Sequence, residues 1–213
     1  MRKSLTRMAA FGAAAVVGIT GLAAAPAASA EDMGTTSLAA VLTSGETKFD
    51  RDYRDYDILT AAVLAVLEAK PNSPVGALAD GSIPLTAFIP TDGAFKKLVK
   101  NLTGERPKSE AKTFETVAGL GIDTVETVLL YHVVPGATID SSAAIAAPWN
   151  TKLPTALEGK VITVRVNQDR PSITLIDYNK KLPNAKVKLS QVDINKGNMQ
   201  IAHGITEVMM PTK

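Results

Sequence analysis

One run, Val128-Leu129-Leu130-Tyr131-His132-Val133-Val134-Pro135-Gly136, constrains the chain more than any other. Leu129 and Leu130 close an apolar pattern of helical period. Val133 and Val134 are β-branched and suit a pleated, half-buried surface. Pro135-Gly136 ends whatever precedes it. The run therefore predicts a helix that passes directly into a buried strand and stops at a turn. Between the apolar pairs stand Tyr131 and His132, the latter one of two histidines in the chain. Polar groups in so apolar a setting must find hydrogen-bond partners or they cost stability. The pair is either a functional site or a structural anchor.

The first thirty residues read as a secretory signal peptide. Arg2, Lys3 and Arg7 form a positive start, Met8 to Ala25 carries no charge, and Ala28-Ser29-Ala30 is a small-x-small cleavage site. Taking 30 residues from 213 leaves 183, enough for one domain with a self-sufficient core. Removing those three basic residues leaves 20 Lys+Arg against 21 Asp+Glu, a formal charge of −1. A nucleic-acid protein would keep a basic face, so that class of partner is excluded. No cysteine is present. That rules out disulfides, lipidation at a bacterial lipobox and thiolate metal sites. No second long apolar run follows, so no stable membrane span is expected after cleavage. The expectation is a secreted or cell-wall-associated protein of bacterial type.

Residues 31–36 read as a flexible leader and 37–213 as the domain. Ser37 suits the N-cap of a short helix through Leu38, Val41 and Leu42. Leu59, Val63, Val66 and Leu67 mark one face of a stronger helix, with Asp57 placed to cap it and Lys70-Pro71-Asn72-Ser73-Pro74 to end it. Ile83 to Pro90 alternates as a strand. A helix with Thr91 as N-cap follows at once. Asn101 to Lys112 is polar and reads as a flexible insertion. Asp123 or Thr124 caps the helix that enters the Tyr131-His132 run. Ser141 to Ala147 suits one helical turn. Thereafter short strands dominate: Val161 to Val166, Ser172 to Ile176, Ala185 to Leu189, Gln200 to His203 and Ile205 to Met209. Helices first and strands later predict an α+β fold with a largely antiparallel sheet.

Three stretches together resemble the fasciclin-like domain family. They are Thr86 to Phe95, with Pro90-Thr91 leading into Ala94-Phe95; Leu130 to Gly136, with Tyr131-His132; and Ile201 to Pro211, with His203 and a closing proline. The resemblance implies a wedge of two mainly antiparallel β-sheets, with helices from the N-terminal half packed on one side. It also implies a non-enzymatic adhesion module that binds a surface or matrix protein or glycan. In animal members the Tyr-His segment is linked to adhesion, which points to Tyr131 and His132. An Asp-Ile pair has the same association, which points to Asp193 and Ile194. Thr91, Phe95, Tyr131, His132 and His203 are the family's structural anchors. The chain departs from the pattern at Met199-Gln200 and Ile205-Thr206, and over Asn101 to Gly121.

No catalytic constellation stands out. There is no Gly-x-Ser-x-Gly elbow and no His-Glu-x-x-His. No cofactor or metal is expected. The acidic run Asp50, Asp52, Asp55 and Asp57 lacks the Gly and distal Glu of an EF-hand loop. With Arg51 and Arg54 interleaved, it reads as a solvated, self-paired loop. A second reading of function is a carrier for an apolar small molecule, a lipid or pigment. Met199, Met209 and Met210 would supply adaptable apolar contacts. Ser141 to Pro148, ahead of Trp149, would form a mobile flap, and this reading expects an apolar pocket of ~300 Å3 or more.

Overall fold

The computed structural model describes residues 33–45 and 48–212. The expected signal peptide over 1–30 lies outside the described residues. Helices α1 (Leu38–Thr43) and α2 (Asp57–Ala69) and a 3-10 turn (Pro74–Ala79) precede β1 (Leu85–Pro90). Then come α3 (Asp92–Thr103), α4 (Glu110–Ala118), α5 (Ile122–Tyr131) and β2 (Val133–Pro135). Helix α6 (Ser141–Ala146) leads to β3 (Thr151–Pro154), β4 (Val161–Asn167), β5 (Ser172–Ile176) and β6 (Ala185–Lys186), and β7 (Gln200–Ile205) completes the set.

The strands form two sheets, one ordered β2-β1-β7 and the other β3-β4-β5-β6. Every pair is antiparallel except β1 with β7, which runs parallel from Leu85–Gln200 to Pro90–Ile205. Strand β1 is thus central and buried throughout. Its alternation serves two cores. Leu85, Ala87 and Ile89 face a helical core with Ile58, Val63, Val66, Phe95 and Leu98. Phe88 faces a second core with Tyr131, Ile162, Val164, Leu175 and Met209. Helices, the three-stranded sheet and the four-stranded sheet are therefore stacked in that order. The expected α+β fold with two mainly antiparallel sheets and an N-terminal helical layer is observed.

The third predicted strand, Ala185 to Leu189, is shortened because it changes partners. Lys186 still pairs with β5, but Val187 bridges to Ile205 of β7. Lys188 N–H donates to Gly204 O at 2.8 Å and Ile194 N–H to Ala202 O at 3.0 Å. This segment covers the outer edge of β7 and stitches the two sheets together. The predicted strand over Ile205 to Met209 does not form; β7 stops at Ile205.

Several helix starts differ from the sequence reading. Ser37 caps α1 as expected, its Oγ accepting from Ala40 N–H at 3.1 Å. Asp57 does not cap α2; it is the helix's first residue, and the cap position is Tyr56. A distant carboxylate substitutes, since Asp92 Oδ1 accepts from Ile58 N–H at 3.1 Å. Helix α5 begins after Gly121, not at Asp123 or Thr124, because only glycine accepts φ of 88° readily there. The polar stretch Asn101 to Lys112 is helical at both ends, leaving a short connection between α3 and α4. Gly34 and Thr36, read as loose leader, are bound to the 195–199 turn. Gly34 N–H donates to Gly197 O at 2.8 Å, and Thr36 N–H to Asn198 Oδ1 at 3.0 Å.

Candidate functional site

Tyr131 and His132 sit where α5 ends, with His132 as its C-cap. Both are buried. Nδ1 of His132 lies 2.7 Å from Val128 O, one turn back in the helix. A carbonyl only accepts, so Nδ1 carries the proton and donates. Nε2 is then the acceptor, and it receives Met209 N–H at 3.0 Å. Burial lowers the imidazole pKa to about 4, so the ring is neutral. Tyr131 Oη donates to Val161 O of β4 at 3.1 Å. The pair thus ties the helical layer to the four-stranded sheet and to the segment after β7.

His203 is held in the opposite tautomer. Its Nε2 donates to Ile139 O at 2.8 Å, and its Nδ1 accepts Asp193 N–H at 3.2 Å. Burial again lowers its pKa. Both histidines of the chain therefore have both ring nitrogens committed to backbone partners, and neither presents a lone pair to a substrate. Thr91 occupies the N-cap position of α3 without a side-chain cap bond, and Phe95 packs into the helical core.

Asp193 lies in a tight turn with φ of 58°. Its Oδ1 accepts from Ser141 N–H at 2.7 Å, and its Oδ2 from Ser141 Oγ at 2.8 Å and Lys196 Nζ at 3.1 Å. Burial works to raise its pKa, but the bonds from Ser141 and Lys196 hold it below the usual carboxylate range. Asp140 adds a cap, accepting Ala143 N–H at 2.8 Å. Helix α6 is therefore pinned at its N-terminus by two aspartates. Ile194 pairs with Ala202 and packs half-buried against the helical core.

Beneath α6 lies a cavity of ≈ 210 Å3. Phe88, Val164, Ile173 and Val187 form its apolar floor, with Ala143 and Ala144 above. Its polar lining is already satisfied. Thr86 Oγ1 donates to Ala137 O at 2.7 Å and accepts Ile139 N–H at 2.8 Å. Thr151 Oγ1 donates to Pro148 O at 2.7 Å. Ser141 and His203 are committed as described. The interior therefore offers apolar surface only. It falls short of the ~300 Å3 expected of a carrier, and none of the three methionines lines it. Met209 is fully buried in the second core instead. Trp149, at the far end of α6, is exposed. The Arg165 guanidinium sits 5.6 Å from its ring centre, and Arg165 Nε donates to Asn150 Oδ1 at 2.9 Å.

The acidic run is not wholly the solvated, self-paired loop expected from its charges. Asp52 does pair with exposed Arg54, at 3.4 Å. Asp55 and Asp57, however, turn inward to meet Asp92. Asp92 and Glu110 are fully buried, and burial raises the pKa of both, Asp92 to about 8. Sequence reasoning missed these two. Their signal was an acid at the first position of two amphipathic helices.

Fold and site together define a two-sheet α+β domain whose histidines act as internal ties. The chain belongs to the Fasciclin domain family, whose model matches residues 59–211. The structure is similar to a FAS1 domain pair from the insect cell adhesion molecule fasciclin I. The TM-score is 0.51 at 14% identity, over 75% of this chain and 48% of that one, so the chain spans about half of that pair. The likeness concerns the fold. No curated protein matches the chain. Fasciclin domains are adhesion-related, generally non-enzymatic modules of extracellular or surface proteins. Among the described residues, no helix is long and apolar enough to cross a membrane.

Proposed function

We propose that the protein is an exported, non-enzymatic adhesion module that binds a surface or matrix protein or glycan through the face around Trp149. The observation carrying this reading is the exposure of Trp149 at 63% with Arg165 against its ring. Tryptophan and arginine are the residues that most often dominate binding interfaces. An open hollow of ≈ 530 Å3 beside the ring is lined by Asn167, Gln168 and Asp169, which supply hydrogen-bonding groups around an aromatic platform. Trp149 is the sole tryptophan, so its fluorescence reports on this face alone. Titration with matrix proteins and glycans should shift that emission, and Trp149→Ala should weaken capture on the same ligands at least ~tenfold, the loss of a central aromatic contact. Unchanged capture by Trp149→Ala would exclude this face.

The cavity under α6 supports a second reading, a small apolar ligand. Its ≈ 210 Å3 is less than the ~300 Å3 usual for drug-sized ligands but ample for a hydrocarbon fragment. Native mass spectrometry of protein purified from its own host should then show a bound apolar mass. Ala144→Leu, which fills the space, should remove it. A protein mass without adduct sinks this reading.

A further inference from the structure

Three helices of the first layer begin with an acid. Asp57 is the first residue of α2, Asp92 of α3 and Glu110 of α4. Asp55 joins them from the preceding loop. One carboxylate oxygen each from Asp55, Asp57 and Asp92 lies within 4.8 Å of the others. Glu110 is not one of that close group.

The hydrogen bonds to these groups stop short. Asp92 Oδ1 receives Ile58 N–H, and Glu110 Oε2 receives Asp50 N–H at 2.6 Å. Asp92 Oδ2, Glu110 Oε1 and Asp55 Oδ1 are buried with no donor among the described residues. Asp92 and Glu110 are each 0% exposed, so bulk solvent does not reach them. Among the described residues, no lysine or arginine is ion-paired to Asp55, Asp92 or Glu110. Arg54 turns outward to Asp52, with its side chain 85% exposed. Each helix start contributes only about half a positive charge. Three such ends do not neutralise Asp55, Asp92 and Glu110, and buried charge left unbalanced is costly.

We propose that Asp55, Asp57 and Asp92 form a binding site for calcium. All the donors are carboxylate oxygens, the ligand set of hard cations; soft thiolates and imidazoles are absent from the cluster. Calcium tolerates irregular geometry and six to eight oxygens, which suits ligands converging from two helices and a loop. A surface hollow of ≈ 270 Å3 lined by Ser44, Gly45, Asp55, Asp57 and Thr60 gives the ion and its remaining waters a way in. Bound there, the ion clamps the starts of α2 and α3 together.

The competing arrangement is a proton shared between Asp55 and Asp92, which lie within hydrogen-bonding reach. Calorimetric titration and thermal melting of EDTA-treated protein separate the two. Calcium chloride should release binding heat at about one ion per chain. At a hundredfold excess over Kd it should raise Tm by roughly 5–10 °C, reversed by EGTA. Asp92→Asn keeps the acceptor for Ile58 N–H and should lower calcium affinity at least tenfold. If that buried variant does not fold, Asp55→Asn, on a partly exposed residue, should show the same loss. Absence of heat and of any Tm change in millimolar calcium overturns the proposal. So does an equal response of the wild type and a folded Asp55→Asn variant, or a response to magnesium alone.

Discussion

The Met209 N–H donates to His132 Nε2 at 3.0 Å across 77 residues of sequence. This single bond joins the end of α5 to the segment that follows β7. Together with the Val128 bond it fixes the imidazole in one tautomer.

Replacing His132 by alanine strips a buried backbone N–H and a part-buried carbonyl of their partner. The expected loss is about 1–3 kcal/mol of unfolding free energy, read by urea denaturation. Unchanged stability with lost partner binding would return Tyr131-His132 to a direct recognition role.

The same site sets a pH dependence. The folded imidazole titrates at about 4 and an unfolded one near 6.5, so the unfolded chain binds more protons between those values. His132 therefore contributes its full stability above pH 6.5 and loses it as pH falls toward 4, by about 3 kcal/mol in all. His203 shifts in the same direction. The raised carboxyl pKa values act oppositely, so the histidine contribution is isolated by difference. The slope of stability against pH between 6.5 and 4 should be shallower in His132→Gln by up to one proton.

Asp193→Ala removes both anchors of Ser141 and leaves Asp140 as the remaining cap of α6. Amide hydrogens of residues 141–147 should exchange faster, by about tenfold for each 1.4 kcal/mol lost, while those of β1 and β7 stay protected. Uniformly faster exchange would mean that Asp193 supports the whole fold.

Gly204→Ala tests how tightly β7 is covered. A Cβ there would stand 2.5 Å from Tyr56 Oη and 2.9 Å from Gln191 Cβ. Overpacking of this kind should cost about 1–3 kcal/mol, measured as a fall in the urea midpoint. Truncating the ring in Tyr56→Ala, Gly204→Ala should recover part of that loss relative to Tyr56→Ala alone.

What the sequence disclosed follows the range of the forces involved. The passage from α5 through His132 to β2 was legible because helix period, β-branching and a Pro-Gly stop are adjacent in the chain. The two-faced burial of β1 was half legible: its alternation showed, but only the second sheet explains why both faces are apolar. The parallel β1–β7 pair was hidden, since no local pattern distinguishes a parallel neighbour distant in sequence. Gln200 gave no signal beyond departing from the family pattern. In the structure its Oε1 caps Leu38 N–H at 2.8 Å, and its Nε2 donates to Ala77 O and Asp80 O, both at 2.7 Å. The acidic cluster was misread for the same reason. Asp55 and Asp57 looked solvated because Asp92, which they meet in the fold, lies far along the chain.

The parallel register of β1 with β7 also sets an order in time. Among the described strands, β7 is the last to be synthesised, yet it forms one side of the central strand and contributes Ala202 to one core and Ile205 to the other. Closing so long a loop is slow, because its entropy is spent before the contacts form. A nascent chain lacking residues 200–209 holds two incomplete cores and an open strand edge. It is most exposed to misassociation until that segment arrives.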